Sequence, residues 1–302
     1  FQTKAVILAT EGHQGLWSNP NEGSGTGTAL ALSAGIQLRG MGNTPRHPLT
    51  IRDCGIHIPM DVLGSGGRIR RENGDDIGPE EALEGEPCVL DLRGMDPDAK
   101  TWFSQTSFRI SDRLGLDMTR DVIPLSPGVA YTTGGAPCDN DGRVTFEEQN
   151  TGDSAKSLWH TGLYAAGRSA NTGMHGDYPL PGNILLDDLV SGKAAGSHAA
   201  AWAPTNHFGG SDQIERAVQD ATNRITSIRE GEGMTVGNFA SKLSSAISTS
   251  SSSKEAALAE INNIKDSGIR LTDNSKVMNT EMVEALRLHG LASVAESIVT
   301  SG

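Results

Sequence analysis

Up to about residue 205 the apolar residues come in short runs closed by glycine, and after Pro204 the same residue types fall into a helical period. A run of four or five apolar residues ending in a glycine turn is too short for a helix and reads as a strand buried on both faces, the strand type of a parallel sheet. Ala5 to Leu8 and Leu163 to Ala166 are of this kind. Beyond Pro204, Ile214, Ala217, Val218, Ala221, Ile225 and Ile228 recur at the three-four spacing of one helix face, and Val236, Phe239, Ala240, Leu243 and Ile247 repeat it. Ala257 to Ile264 and Met282 to Ile298 supply two further amphipathic stretches, with the serine-rich run 248–253 read as a solvated loop. Between residues 47 and 131 the text is irregular and acidic, its one clear helix running from Phe103 to Leu114, and strand-like text resumes at Tyr131. The chain therefore reads as an α/β scaffold (1–46 and 132–205) interrupted by an α+β insertion (47–131) and followed by a helical subdomain (206–302). An insertion of this size commonly caps a site.

Composition narrows the partners. The formal net charge of −12 argues against nucleic acid or an anionic membrane surface, because phosphate binding needs positive surface. No run of about 18 apolar residues occurs and no basic-then-apolar leader opens the chain, so no transmembrane segment is expected and the location reads as cytoplasmic. Cys54, Cys88 and Cys138 form no CxxC and the eight histidines no HExxH, so neither a disulfide framework nor a metal site is expected. Phe1 enters directly into the first apolar run, which reads as part of a longer frame.

Three glycine-bearing turns carry the chemistry. Ala9-Thr10-Glu11-Gly12 follows the first strand, Ser24-Gly25-Thr26-Gly27 opens a helix expected to run through Leu38, and Gly167 closes the strand at Leu163 to Ala166, ahead of Thr172 to Gly176 and a long apolar helix from Asn183. Turns after strands and helix N-termini are where an open α/β sheet places a nucleotide cofactor, since backbone N–H groups and the helix dipole face its anionic and polar atoms. Each turn alone is equally well plain turn chemistry.

Their order and company resemble the flavoprotein subunit of succinate dehydrogenase and fumarate reductase, the family that includes L-aspartate oxidase. Ala5 to Thr10 is similar to the strand entering that family's ATGG turn, and Ser24 to Gly35 to its TGDG helix. His47-Pro48 falls where the family has HPT, and Ala130 to Gly135 where it has HYTxGG. Gly162 to Gly167, Gly173 to Gly176 and Gly182 to Leu186 resemble GLYAxGE, GxHG and the NSLL segment beside the flavin ring. Asn279 to Ile298 resembles the helix before the family's C-terminal arginine-rich motif.

The resemblance implies a glutathione-reductase-type FAD-binding domain (1–46 and 132–205), a capping domain (47–131) and a C-terminal helical domain (206–302). It further implies an FAD-dependent oxidoreductase passing hydride between flavin and a small organic acid, with an iron-sulfur subunit as a possible partner at the inner face of a membrane. FAD contacts fall on Ala9, Thr10, Gly12, Ser24, Gly25, Gly27, Gly167, Arg168, Asn183, Ile184 and Leu185. His47 is the implied catalytic residue and, with Gly134, the implied substrate contact. The family's GxGxxG unit lies upstream of the matching residues.

Departures from the family's pattern bear on the reaction. Leu63 stands at the position of the proton-donating arginine, Ala130 at a substrate-clamping histidine and Pro179 at a second substrate arginine. Thr26 replaces the TGDG acid, and Arg168 the glutamate of GLYAxGE. Losing both arginines removes charge-assisted bidentate contacts, so succinate and fumarate become doubtful substrates. Arg68, Arg70 and Arg71 either supply a cation from a shifted register or belong to an exposed, charge-paired hairpin; His175 is either a site residue or a turn-packed histidine. A non-catalytic flavoprotein-like subunit that assembles with an electron-transfer partner is the alternative reading.

Overall fold

The computed structural model describes residues 2–17, 23–146, 158–176, 179–180, 182–250 and 253–301. Ten helices lie among them: α1 (Thr26–Ser33), α2 (Asp61–Gly64), α3 (Pro79–Leu83), α4 (Pro97–Trp102), α5 (Ser104–Leu114), α6 (Asn183–Trp202), α7 (Ser211–Arg229), α8 (Val236–Thr249), α9 (Lys254–Ser267) and α10 (Thr280–Ser301). The chain divides into two compact units, residues 1–44 with 131–302, and Pro45–Ala130.

In the first unit, β1 (Val6–Leu8) pairs in parallel with β10 (Trp159–Ala165), in register from Val6 opposite Leu163 to Leu8 opposite Ala165. β9 (Arg143–Thr145) continues the sheet on the far side of β10, antiparallel. The apolar run at Leu163 is thus the end of a seven-residue strand, with Tyr164 fully buried and its hydroxyl 3.0 Å from Nδ1 of His198 on α6. Two-residue ladders add β8 (Ala136–Pro137) with β11 (Ala170–Asn171), and β12 (Met234–Thr235) with β13 (Ile269–Arg270), both parallel.

Three sequence expectations are corrected in this unit. α1 ends at Ser33 rather than Leu38, because Gly35 takes a left-handed φ of 79° and the Ile36 N–H turns back to the Ala31 carbonyl, a glycine-terminated helix end. Residues 131–135 form no strand. The backbone there runs too close to its neighbours: a Cβ at Gly134 would lie 2.6 Å from the Gly40 carbonyl oxygen, and one at Gly135 2.5 Å from that of Ser169. The run 248–253 is no continuous loop, since Ser248 and Thr249 remain in α8 and Ser253 caps α9 by accepting the Ala256 N–H; Ser251 and Ser252 lie outside the described residues.

The helical tail shares its apolar core with the N-terminal segment. Phe239, Leu243 and Ile247 of α8, Ala257, Ile261 and Ile264 of α9, and Leu288 to Ile298 of α10 pack together with Leu16 and Met41. α7 joins that core only through Ile228 at its last turn, which leaves Val218 61% and Ile225 41% exposed. Periodicity gave the helix correctly, whereas the burial of its whole apolar face does not occur among the described residues. Leu185, Leu186, Leu189 and Val190 on α6 are likewise exposed.

The Pro45–Ala130 unit is built on a four-stranded antiparallel sheet, ordered β4 (Asp76–Ile77), β3 (Arg68–Arg71), β5 (Cys88–Asp91), β6 (Val122–Leu125). α5 lays Ile110 on it, with Phe103 as the residue before its first turn and Leu114 at its end, and α2, α3 and α4 are further short helices that the sequence did not announce. A second ladder pairs β2 (Arg46–His47) with β7 (Gly128–Val129). The Arg68–Arg71 run forms the charge-paired hairpin: Arg70 Nε donates to Asp76 at 2.8 Å, and Arg71 bonds Glu81 and Glu86.

Asp91, 6% exposed at the end of β5, anchors this sheet. Its carboxylate accepts a bidentate pair from Arg93 Nε and Nη2 at 2.9 and 2.8 Å, a third bond from Arg70 Nη1 at 2.9 Å and a fourth from the Arg93 backbone. Those donors hold its pKa down at about 2. A depressed carboxylate stabilises the fold above its unfolded pKa and loses that contribution as pH falls through the folded value. Asp91→Asn should therefore destabilise this unit by about 2 kcal/mol at pH 7, with the difference from wild type fading between pH 4 and pH 2. Amide exchange of β3, β5 and β6 across that range measures it.

Candidate functional site

The three glycine-bearing turns meet at one knot of hydroxyls. β1 delivers Thr10 and β10 delivers Ser169, two residues past Gly167. Ser169 Oγ lies 2.9 Å from Thr10 Oγ1, accepts the Thr10 N–H and donates to the Thr10 carbonyl. Thr10 Oγ1 in turn accepts the Gly27 N–H at 2.9 Å, one of the first-turn amides of α1 that have no partner inside the helix. Glycine is required at position 27, since a Cβ would sit 2.5 Å from Thr10 Oγ1 and 2.7 Å from Ser169 Oγ. The neighbouring Gly25 N–H reaches the Gly12 carbonyl, and Glu11 accepts the Gly23 and Ser24 N–H groups on one carboxylate oxygen.

Two recesses open beside the knot. One, of about 260 Å³, is lined by Ala9, Thr10, Glu11, Gly167, Arg168 and Asp188. Arg168 reaches Asp188 of α6 at 4.0 Å, and the Gly167 N–H donates to Ser191 Oγ at 2.8 Å. The second is lined by Thr133, Gly167, Arg168, His175, Ile184 and Asp187, with buried Pro179 on its wall. His175 Nε2 stands 3.9 Å from Asp187 Oδ1, and burial pushes the Asp187 pKa up. Thr133 Oγ1 and His175 Nε2 are buried here without a hydrogen-bond partner among the described residues. A buried unpartnered polar atom is costly and points to a ligand that satisfies it.

Of the sequence-predicted cofactor residues, Ala9, Thr10, Gly12, Gly25, Gly27, Gly167, Arg168 and Ile184 gather at the knot and its recesses. Ser24 instead lines a larger cleft of about 940 Å³ beside α1 and α10. Asn183 opens α6 behind Gly182, and Leu185 is 67% exposed. Gly134 is buried against Gly40. His47 lies in the Pro45–Ala130 unit. Sequence reasoning missed Ser169, Asp188 and Asp187, named Glu11 only as part of its turn, and left His175 open; the signal for the two aspartates was a pair of acids placed early in an otherwise apolar helix.

His13 was also missed. It follows Gly12, is fully buried, and neither ring nitrogen has a hydrogen-bond partner among the described residues. Burial alone pushes its pKa down to about 3, so the ring is neutral.

Residues 77–185 match the family described as FAD binding domain, and residues 244–302 the one described as fumarate reductase flavoprotein C-term. Over these two segments the chain is similar to the succinate dehydrogenase and fumarate reductase flavoproteins. Among curated relatives, it is 33% identical over 231 residues to L-aspartate oxidase of Mycobacterium tuberculosis, covering 65% of this chain and 41% of the relative. It is 26% identical over 341 residues to the succinate dehydrogenase flavoprotein subunit of Rickettsia felis, covering 98% of this chain and 55% of the relative. A variant of FrdA from E. coli quinol fumarate reductase superposes with a TM-score of 0.84 at 22% identity, over 98% of this chain and 57% of that one. The chain thus spans about half the length of the relatives it matches. No helix among the described residues is long and apolar enough to cross a membrane.

The residues present fit the family's cofactor. The glycine cradle leaves backbone close to the recesses, two polar atoms without a partner among the described residues face one of them, and Asp188 brings a carboxylate to the other beside Arg168.

His13 gives this region a measurable acid sensitivity. A histidine whose folded pKa is depressed leaves the unfolded chain binding more protons between the two pKa values, so stability falls as pH drops from 6.5 toward 3. Between pH 7 and 4.5 the loss attributable to His13 should be about 3 kcal/mol. His13→Phe, which fills similar space without titrating, should flatten that part of the urea-denaturation pH profile.

Proposed function

We propose that this chain is part of an FAD-dependent oxidoreductase that transfers hydride between flavin and a small organic acid. The observation carrying this reading is the Thr10–Ser169–Gly27 knot with a recess beside it whose Thr133 hydroxyl and His175 nitrogen have no hydrogen-bond partner among the described residues. Bound there, FAD would supply the hydride chemistry of the family.

The chain's own residues do the rest. Backbone N–H groups at the start of α6 offer donors to cofactor oxygens, and the α6 N-terminus favours negative charge. Asp188, held near Arg168, is placed to accept hydrogen bonds from cofactor hydroxyls, a role the family gives to the glutamate replaced by Arg168. His47 meets the substrate as a hydrogen-bonding group. An iron-sulfur subunit as electron partner is supported by the family resemblance.

Three positions bear on the substrate. Leu63 packs against the apolar core of its unit, Pro179 is buried, and Ala130 carries no polar group, so the family's cationic clamp is absent at all three. A substrate with fewer carboxylates than succinate suits this site better. The same three residues favour a second reading, a flavoprotein-like subunit that binds FAD without turning over acids.

FAD titration of the chain, followed by flavin fluorescence, tests the first step. Asp188→Ala should weaken binding 10- to 100-fold, the effect of losing hydrogen bonds to a charged acceptor. For turnover, anaerobic flavin reduction is followed with succinate, L-aspartate and monocarboxylic acids, and His47→Ala should lower kcat/KM about 10²- to 10³-fold. Retained FAD with no reduction by any acid supports the second reading; no FAD binding overturns both.

A further inference from the structure

His47 does not stand alone. Residues 49–58 fold back on themselves, with the Ile51 N–H on the Ile56 carbonyl at 2.8 Å and the Ile58 N–H on the Leu49 carbonyl at 2.9 Å. The turn between is closed by Asp53 and Gly55, both in left-handed backbone with φ near 62° and 65°. This hairpin sets His57 opposite Thr50 and brings the rings of His47 and His57 to 5.2 Å between centroids.

The hydrogen bonds around Thr50 assign both tautomers. The buried Thr50 hydroxyl has one proton, and it goes to the His47 carbonyl at 2.8 Å. Thr50 Oγ1 also accepts the Gly128 N–H at 3.1 Å, so the 2.9 Å contact with His57 Nδ1 requires that nitrogen to donate. His57 is therefore protonated on Nδ1. His47 has the opposite arrangement: its Nδ1 accepts the Leu49 N–H at 3.1 Å, which only an unprotonated nitrogen can do. Its proton sits on Nε2.

We propose that Thr50 and His57 are positioning residues that hold His47 as a neutral imidazole donating from Nε2, so that it meets a substrate oxygen as a hydrogen-bond donor rather than as a cation or a base. The proposal rests on the reading of His47 as a substrate contact. Protonating His47 would set an Nδ1–H against the Leu49 N–H, costing that hydrogen bond, and would place a second charge beside a neighbouring imidazole able to carry its own. The charged side chains on the flanking residues supply no counter-charge: Arg46 donates to the Pro127 carbonyl and Arg52 to that of Leu125, and β7 opposite β2 carries only Gly128 and Val129. Burial and the charge of His57 both lower the His47 pKa, to about 4.

A neutral donor suits a carbonyl or carboxylate oxygen on which charge builds during reaction, because it gives the hydrogen bond without needing a proton from solvent first. It also means that His47 does not replace the cation missing at Leu63.

The test is ¹⁵N-histidine NMR of the FAD-loaded chain. The expected result is a His47 ring in the Nε2–H form from pH 8 to 5, titrating with a midpoint near 4. In His57→Asn, whose amide still donates to Thr50, that midpoint should rise by about one unit with the tautomer unchanged. Thr50→Val should broaden or split the His57 Nδ1–H signal, and Thr50→Ser should restore it. A His47 ring protonated at pH 6, an Nδ1–H tautomer, or a midpoint unmoved in His57→Asn overturns the proposal. Adding succinate, fumarate and L-aspartate in turn tests the parent reading separately: a His47 resonance that none of them perturbs sinks the substrate contact while leaving the tautomer assignment standing.

Discussion

Two side-chain oxygens hold three distant pieces of chain together at the candidate cofactor site. Thr10 and Ser169 are 159 positions apart, and their hydroxyls exchange hydrogen bonds with each other, with the Thr10 backbone and with the first turn of α1. The parallel pairing of β1 with β10 fixes the register, since Leu8 opposite Ala165 sets Thr10 beside the turn at Gly167. Each partner satisfies a donor that would otherwise be buried and unpaired, which gives the knot a worth beyond its count of bonds. The recess lined by Asp188 and Arg168 takes part of its shape from that closure, because the segments at Thr10 and Gly167 that the knot ties face α6 across it.

Much of this was written plainly in the sequence. Apolar runs closed by glycine marked β1 and the end of β10, and the three-four periodicity marked α7 to α10 within a few residues, because both signals are local consequences of burial. What escaped were partnerships between distant positions. Ser169 looks like any serine after a glycine turn until β10 lies beside β1, and Asp188 looks like an awkward acid in an apolar helix until Arg168 faces it. The long helix expected through Leu38 failed for a local reason that pattern matching overlooked: apolar text continues past Gly35, but the backbone there adopts a conformation only glycine takes readily. Periodicity also says which face of a helix is apolar without saying that something covers it, which is why α7 is present and largely unburied.

Electrostatics divide the two compact units. In Pro45–Ala130 the charges are paired outward, with Asp91, Asp76, Glu81 and Glu86 each taking an arginine of the β3–β5 region, so the arginine-rich run at 68–71 is spent on holding a sheet rather than available to a substrate. In the unit of 1–44 and 131–302, His13 is neutral by burial, and at the recesses Arg168 stands beside Asp188 while burial pushes the carboxyl of Asp187 toward its protonated form. A site whose walls are neutral or internally paired gives little attraction to a dianion at long range.

That balance and the state of His47 point in one direction. Leu63 packs against the apolar core of its unit and Pro179 is buried, and neither these nor Ala130 offers a cation. The histidine that remains is held by a backbone N–H on one nitrogen and a second imidazole at its side, both of which oppose a positive charge. A substrate bound mainly by charge would gain little from such a residue, whereas one presenting a carbonyl or a single carboxylate oxygen gains a directed hydrogen bond. On the proposed reading, recognition at His47 would rest on hydrogen-bond geometry rather than on ion pairing.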